Sequence, residues 1–129
     1  MFGSPRLEDV PHIHVAAPSD AKLRELYNQA GCYLLTSRRE GFGLPAAEAM
    51  ACGCPVVAVD AGGNMEFCTD EETALVSPSD PEQLAARIER LRQDSGLRQR
   101  IAENGRQAIR EYCWDGVVDR LERVYSGEI

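Results

Sequence analysis

The spacing of apolar residues along the chain predicts short strands that alternate with helices. Alternating polar and apolar residues predict a strand over residues 12–17, and two nearly all-apolar runs predict strands over residues 32–37 and 55–60. A further strand is expected over residues 73–78. Apolar runs of this kind are typical of parallel strands that are buried on both faces. We therefore expect strands 32–37 and 55–60 to be adjacent, parallel and central.

Helical spacing and capping residues predict the helices between these strands. Ser19 or Asp20 is expected to cap a helix that extends to Gln29. Pro45 suits the first turn of a helix, so a second helix is expected to begin there. A single helical turn is expected around residues 65–68.

Three more helices are predicted near the carboxyl end of the chain. Ser79 or Asp80 is expected to cap the first of them, which begins at Pro81. Each helix has an apolar stripe. The stripes consist of Leu84, Ile88 and Leu91, then Leu97, Ile101, Ala108 and Tyr112, and finally Trp114, Val117, Val118, Leu121 and Val124.

This order of elements predicts an α/β fold, a Rossmann-like parallel sheet that is flanked by helices, because successive parallel strands are joined by right-handed helical crossovers. The sheet is small and the helical tail is long. The chain is therefore expected to be either a small domain or the second half of a larger one. Residues 1–11 are interpreted as an N-terminal leader or expression remnant, and residues 12–129 as the folded region.

Composition narrows the class of protein. A chain of 129 residues with 43% hydrophobic and 27% charged residues is typical of one globular domain. Its formal net charge of −7 argues against nucleic acid as a partner. The sequence has no apolar run of the roughly 18 residues that a membrane helix needs, and no signal-peptide pattern. We expect no membrane contact and, by default, a cytoplasmic location.

The cysteines and histidines do not form a metal motif. The five cysteines include no CxxC pair, and the spacing of Cys52 and Cys54 is poor for zinc. An odd number of cysteines without a secretory context indicates reduced, mostly buried thiols. His12 and His14 are expected to be surface residues on one face of a strand. No metal and no cofactor are predicted.

A glycine-rich loop follows the strand over residues 32–37. The carboxyl ends of parallel strands are the usual place for a ligand in an open α/β sheet. Gly41 and Gly43 would let the backbone approach a ligand closely, because glycine has no Cβ. Glu40 begins this loop, so its carboxylate would meet ligand hydroxyls at the same edge of the sheet.

The helix that begins near Pro45 adds two further features. Its free N–H groups and positive dipole end would favour an anion such as a diphosphate. Glu48, one turn into the helix, could accept paired hydrogen bonds from the vicinal hydroxyls of a ribose. Together with Glu40, these features favour a nucleotide-sugar. A plainer interpretation stays open at this point, in which both glutamates are solvated and the glycines only form a turn.

The stretch EGFGLPAAEAMACGCPVVAVDAGGNMEF resembles the donor-site signature of retaining GT-B glycosyltransferases of family 4, the glycosyl transferases group 1. Their pattern is Glu, seven residues, Glu, a helix of small residues, Gly-x-Pro-Val-Val and Gly-Gly-x-x-Glu. It matches at Glu40, Glu48, Gly53, Pro55, Val56, Val57, Gly62, Gly63 and Glu66. The likeness extends over residues 12–125. The chain departs from the family at Glu71 and Ala74, where glycines of an Asp-Gly-x-x-Gly-Leu turn are usual.

The resemblance implies a role for each site residue. Glu48 would hold the ribose hydroxyls, and Glu40 would contact the transferred sugar as the catalytic residue. Ala17 and Pro18 would line the base. The full set of implied substrate-binding residues is Pro18, Glu40, Gly41, Phe42, Gly43, Leu44 and Glu48. The Arg and Lys that neutralise the diphosphate in the family come from a segment upstream of the first strand, and Lys22 does not match them.

The resemblance also implies the context of the chain. Residues 12–129 would be part of the carboxy-terminal, nucleotide-sugar-binding domain of a two-domain enzyme, whose amino-terminal acceptor domain is its missing partner. The isolated chain would then be inactive. The alternative is a noncatalytic module that binds a nucleotide or sugar phosphate with the same fold. Because the last helix of the family packs on the partner domain, we expect this helix to be detached, repacked on its own domain or used in a dimer contact.

Overall fold

The computed structural model describes residues 9–129, and they form a parallel sheet between two layers of helices. The strands β1 (Tyr33–Leu35), β2 (Val56–Val59) and β3 (Leu75–Ser77) lie in the order β1-β2-β3, and both pairs are parallel. The predicted α/β fold with a Rossmann-like parallel sheet is confirmed. The interpretation of residues 1–11 lies largely outside the described residues.

Five α-helices and two short 3-10 helices complete the described part of the chain. The α-helices are α1 (Asp20–Gln29), α2 (Leu44–Ala51), α3 (Pro81–Gln93), α4 (Ser95–Ile109) and α5 (Trp114–Tyr125). The 3-10 helices span Gly63–Glu66 and Arg110–Tyr112. The first begins two residues before the helical turn that we expected around residues 65–68.

Side-chain caps fix where α1, α3 and α4 begin, the last through the Asp94 carboxylate and the Leu97 N–H. The Ser19 hydroxyl accepts a hydrogen bond from the Lys22 N–H at the start of α1, and the Asp80 carboxylate accepts one from the Gln83 N–H at the start of α3. Each cap satisfies one of the N–H groups that a helix start leaves free. Ser19 and Asp80 were among the predicted caps.

The core lies on both faces of β2, whose four residues are all buried. Val56 and Ala58 pack with α2 and the buried residues of α1, whereas Val57 and Val59 pack with the apolar stripes of α3 and α4. Alternate residues of a strand face opposite sides, so one all-apolar strand supplies both layers. The expectation of a strand buried on both faces is correct for β2.

The neighbouring strand β1 corrects the expectation for residues 32–37. It is parallel and adjacent to β2, as predicted, but it lies at the edge of the sheet. Leu34 is 41% exposed on its outer face, while Leu35 is buried on the inner face. The apolar run could not distinguish an edge strand from a central one, because only the neighbours of a strand decide that. The prediction that both strands are central was wrong.

The predicted strand over residues 12–17 does not form. The described residues show bends there and no ladder, and Ile13 is 80% exposed. Ala17 has a φ of 42°, which lies outside the range of a strand. Alternation of polar and apolar residues gives the right period for a strand, but a strand also needs a neighbouring strand to form a ladder, and residues 12–17 form no ladder with the described residues.

The last helix, α5, stands apart from the core. None of its residues is buried, and its contacts are chiefly with the 3-10 helix that precedes it. Its exposed apolar residues are Trp114, Val117, Val118, Leu121, Val124 and Tyr125. The structure shows the detached arrangement, so repacking on its own domain was wrong. A dimer contact through α5 stays a prediction.

Candidate functional site

Backbone hydrogen bonds join the loop that follows β1 to the loop that follows β2. The Glu40 N–H donates to the Ala61 carbonyl at 2.7 Å, and the Gly63 N–H donates to the Glu40 carbonyl at 3.0 Å. These bonds continue the parallel pairing of the strands beyond their ends. The position of Glu40 is therefore set by the backbone of the neighbouring loop, at the carboxyl edge of the sheet.

Two glycines allow these loops to approach so closely. A Cβ built on Gly63 would lie 1.9 Å from the Gly41 carbonyl oxygen, so no other residue fits there without a backbone shift. Gly43 has a φ of +92°, and its Cβ would lie 3.2 Å from the Asn64 Cβ. In contrast, a Cβ on Gly41 would meet no atom within 4 Å. Gly63 and Gly43 are thus required by geometry, whereas Gly41 leaves open space on its side of the loop.

Asn64 is a residue of this region whose position the sequence analysis did not single out. Its side chain is fully buried; the amide nitrogen donates to the Val59 carbonyl at 2.9 Å, and the amide oxygen accepts from the Ala61 N–H at 3.0 Å. These bonds fix the turn by which the chain leaves β2. A buried amide that satisfies two backbone groups is a structural element of the loop. Its place directly after Gly62-Gly63 was the available signal.

The start of α2 opens beside Glu40. Gly43 is the N-cap with no side-chain cap, and its carbonyl accepts hydrogen bonds from the N–H groups of Ala46 and Ala47. Pro45 has no N–H to offer. Among the described residues, no hydrogen bond occupies the N–H groups of Gly43 and Leu44. An uncapped helix start with free donors is a local positive end that suits an anion.

Glu48 lies one turn further along α2, in a groove between α1 and α2 of about 280 Å³. Its Oε2 accepts a hydrogen bond from the Tyr27 hydroxyl at 3.3 Å. Burial raises the pKa of Tyr27, and the negative charge of Glu48 raises it further. The groove is lined by Asp20, Leu23, Arg24, Tyr27, Glu48, Ala51 and Cys52. Glu48 is exposed on the groove side, so its free oxygen remains available to a ligand.

The two glutamates are electrostatically close. Burial raises the pKa of Tyr33, and the charges of Glu40 and then Glu48 add to that shift. Both carboxylates thus act on the same phenol, that of the first residue of β1. Glu40 is half-buried, whereas Glu48 is exposed. The structure brings the two predicted acids to one region of the surface, on either side of the open start of α2.

The side chain of Phe42 points into an aromatic cluster. Its ring centroid lies 5.0 Å from that of Phe67 and 5.4 Å from that of Tyr112. The Tyr112 hydroxyl also donates to the Glu66 carbonyl at 3.0 Å. The cluster anchors the glycine-rich loop, so only the backbone of Phe42 is available for the ligand contact predicted there. Leu44, by contrast, is 64% exposed at the same rim.

Pro18 lies directly before the N-cap of α1. Asp20, two residues later, lines the same groove as Glu48, which places the segment of Ala17 and Pro18 close to the mouth of the groove. Ala17 has a positive φ, so the chain turns sharply just before α1. The contact of Ala17 and Pro18 with a base stays a prediction.

The turn at Glu71, where the sequence departs from the resembled family, is held by ion pairs and by a hydrogen bond. Glu71 adopts a φ of 63°, a conformation that glycine adopts more readily. Its carboxylate pairs with Arg87 at 2.6 Å and also with Arg90. The Asp70 carboxylate accepts a hydrogen bond from the Val76 N–H at 2.8 Å. These contacts hold Glu71 in this conformation at the turn into β3.

The described residues form neither a metal site nor a disulfide, and no helix among them could span a membrane. Within residues 9–129, no cluster of His, Cys, Asp and Glu is arranged to hold a metal ion. The five cysteines are free; Cys54 and Cys68 are buried, Cys32 and Cys52 are half-buried, and Cys113 is exposed. None of the helices in this range combines the length and apolar character that a membrane span requires.

The sequence is similar to a known protein family and to several of its members. Residues 7–108 match the family described as Glycosyl transferases group 1. The D-inositol 3-phosphate glycosyltransferase of Thermomonospora curvata is 42% identical over 106 residues, which cover 81% of this chain and 25% of that protein. The MMP alpha-(1->4)-mannosyltransferase of Mycolicibacterium hassiacum is 36% identical over 126 residues, which cover 95% of this chain and 30% of that protein. The chain thus spans about a quarter to a third of the length of these curated relatives.

Solved structures give the same result. The sucrose-phosphate synthase of Thermosynechococcus elongatus superposes with a TM-score of 0.81 at 32% identity, covering 89% of this chain and 29% of that chain. The Anabaena protein HepE in complex with UDP-glucose superposes with a TM-score of 0.76 at 26% identity, covering 88% of this chain and 32% of that chain. Sequence and fold agree, and the chain belongs to the glycosyl transferases group 1 family.

Proposed function

We propose that the chain is the donor-binding part of a retaining glycosyltransferase of family 4 with the GT-B fold. The observation that carries this proposal is the position of Glu40 and Glu48 on either side of the open start of α2. One acid, an anion-binding helix start and a second acid follow each other at the edge of the sheet. A nucleotide-sugar presents sugar hydroxyls, a diphosphate and ribose hydroxyls in the same order.

Each group has a chemical task in this proposal. Glu48 accepts hydrogen bonds from the ribose hydroxyls through the oxygen that Tyr27 leaves free. The N–H groups of Gly43 and Leu44 stabilise the diphosphate, with the helix dipole adding about 0.3–2 kcal/mol. Glu40 contacts the transferred sugar near its reacting carbon. The bond from that carbon to the diphosphate oxygen breaks as the acceptor hydroxyl oxygen bonds to the carbon, and the hydroxyl proton passes to the departing diphosphate. Stabilisation of that leaving group carries much of the catalysis.

The names of relatives and neighbours support this choice of substrate. One neighbouring structure contains UDP-glucose, and the curated relatives are named as glycosyltransferases. We infer that a nucleotide-sugar donor is the partner of this site.

The whole enzyme would need more than this chain. We infer that an amino-terminal domain holds the acceptor and that the apolar face of α5 packs against that domain. Alignment of two reactants can supply roughly 7–11 kcal/mol of a barrier. The isolated chain is therefore expected to bind nucleotides weakly and not to transfer sugar. Measurable transfer by these residues alone would contradict this.

A noncatalytic nucleotide- or sugar-phosphate-binding module is the second candidate. The half-buried Glu40 argues against a module that binds only a nucleotide, because such a module has no need of a second acid beyond the diphosphate. A module that binds the sugar as well is distinguished from the enzyme by activity. Assay of the full-length parent protein with nucleotide-sugars separates the two. Glu40→Ala should abolish transfer in an enzyme, and a parent protein that binds donors without any transfer would favour the module.

The experiment that tests the site is a calorimetric titration of the chain with a panel of nucleoside diphosphates. Glu48→Ala should weaken binding by about ten- to a hundred-fold, since a hydrogen bond to a charged group is worth about 1.5–3 kcal/mol. Glu40→Ala should change this affinity little, because its partner belongs to the sugar. Glu103→Ala, an exposed glutamate on α4, is the matched control. Unchanged binding by Glu48→Ala would refute the ribose assignment.

A further inference from the structure

We propose that Tyr27 is a positioning residue, which holds the Glu48 carboxylate in the orientation that receives the two ribose hydroxyls. This inference rests on the proposed function, because it assigns to Glu48 the role argued above. It adds a residue from α1 to a site that is otherwise built from the loops and the helix at the carboxyl edge of the sheet.

The geometry of Tyr27 separates it from a surface tyrosine. Its side chain is 4% exposed, the most buried position of α1, and its ring packs edge-on against Tyr33 with centroids 5.9 Å apart at 74°. The hydroxyl nevertheless reaches Glu48 Oε2 at 3.3 Å, across 21 positions of sequence. A rigid, packed ring that delivers one donor to an exposed carboxylate is suited to fixing the direction of that carboxylate.

The electrostatics keep the roles of donor and acceptor constant. Burial raises the pKa of Tyr27, and the negative charge of Glu48 raises it further. The phenol therefore stays protonated over the whole range in which proteins work. It donates, and the carboxylate accepts.

The hydrogen bond from Tyr27 orients the Glu48 carboxylate before the ligand binds. A glutamate on the exposed face of a helix visits several rotamers, and a ligand that needs one of them must restrict the others. With Oε2 occupied by the phenol, Oε1 and the remaining lone pairs face the groove. Two vicinal hydroxyls then find their acceptor already oriented, and affinity rises because less freedom is lost on binding.

The test compares a nucleoside diphosphate with its 2′,3′-dideoxy counterpart, which lacks both ribose hydroxyls. Tyr27→Phe keeps the packed ring and removes only the donor. We expect it to weaken binding of the ribose form by about two- to ten-fold, the value of one ordinary hydrogen bond. Binding of the dideoxy form should not change. Tyr33→Phe, which removes the hydroxyl of the neighbouring ring, should alter neither.

The outcomes separate this inference from the proposed function. If Glu48→Ala does not reduce the preference for the ribose form, the ribose assignment itself fails. If Glu48→Ala removes that preference while Tyr27→Phe keeps it, only the role of Tyr27 is overturned. Equal weakening of both ligands by Tyr27→Phe would indicate a merely structural residue and would overturn it as well.

A readout on the unaltered protein covers the case in which Tyr27→Phe does not fold. The carbon-13 resonance of the Tyr27 Cζ should shift when the ribose form binds, because the acceptor of its hydroxyl becomes shared. The dideoxy form should leave it in place. The same response to both ligands, or to neither, would contradict the inference.

Discussion

The loop that carries Glu40 and the helix α5 are held in opposite ways. Among the residues that hold the loop, Asn64 is fully buried and Phe67 is 3% exposed, and backbone hydrogen bonds join the loop to the one that follows β2. The apolar residues of α5 are all substantially exposed, with Trp114 at 82% and Leu121 at 53%. Both regions stand out in the sequence. Only the loop is closely packed against other residues of the described chain.

The two regions differ in whether contacts within the described chain hold them in place. The rim of the sheet depends on contacts between backbones, so it needs no other protein to hold its shape. The helix α5 depends on its own hydrogen bonds, and isolated helices of its length are marginal in water. The rim should accordingly resist local opening, and α5 should be the least stable unit of the described chain.

The largest effect is expected where two backbones touch. Gly63→Ala should cost more than about 4 kcal/mol of the free energy of unfolding, because its Cβ would lie 1.9 Å from the Gly41 carbonyl oxygen. Gly41→Ala, which has open space, should cost less than about 1 kcal/mol. Urea unfolding followed by circular dichroism measures both. Equal costs for the two variants would contradict the close approach of Gly63 to the Gly41 carbonyl oxygen.

The next comparison sets a core residue against a residue of α5. Ile101→Ala should cost about 2–5 kcal/mol, because Ile101 is a fully buried residue of α4 that packs with residues of the sheet and of α3. Leu121→Ala should stay within about 0.5 kcal/mol of the parent, as for other surface positions. The same unfolding experiment gives both values. A large cost at Leu121 would show that α5 is covered, either by its own domain or by a second copy.

The smallest effect concerns the turn at Glu71 and depends on pH. Hydrogen bonding by Arg90, followed by that of Arg87, holds the pKa of Glu71 below its ordinary value of 4.5. A carboxyl whose pKa is lower in the folded chain adds stability above the unfolded pKa and loses it as the pH falls through the folded pKa.

Glu71→Gln should therefore reduce stability at pH 7 by less than about 1 kcal/mol, since the exposed pair is screened by solvent. The difference from the parent should shrink progressively as the pH falls below 4.5 and through the lowered folded pKa of Glu71, and it should also shrink in high salt. Thermal unfolding over a pH series measures it. A difference that persists at low pH would assign the effect to the backbone conformation of Glu71 instead.

Much of the fold was predictable because the signals are local. Ser19 and Asp80 cap helices by contacts with residues three positions away, and the apolar run of β2 reports its own burial. The missing strand over residues 12–17 and the edge position of β1 were not predictable in this way. Both depend on which strands lie beside them, and a periodic pattern carries no information on that.

The site shows the same limit. The glutamates, glycines and proline of the loop were singled out as candidates from their spacing, since the chemistry of each residue type is fixed. The pairing of Tyr27 with Glu48 and the buried amide of Asn64 were not found. Tyr27 followed the apolar spacing of its helix, and only the fold shows that its hydroxyl leaves the core to meet a carboxylate.

The most direct test of the proposed site is a map of where a nucleotide binds. Backbone amide resonances of the chain would be followed by NMR during titration with the nucleoside diphosphate that binds most tightly. We predict the largest shifts at the N–H groups of Gly43, Leu44 and Glu48. Shifts concentrated instead at the opposite edge of the sheet, around Cys32 and Cys54, would contradict the proposal that this site binds a nucleotide-sugar donor.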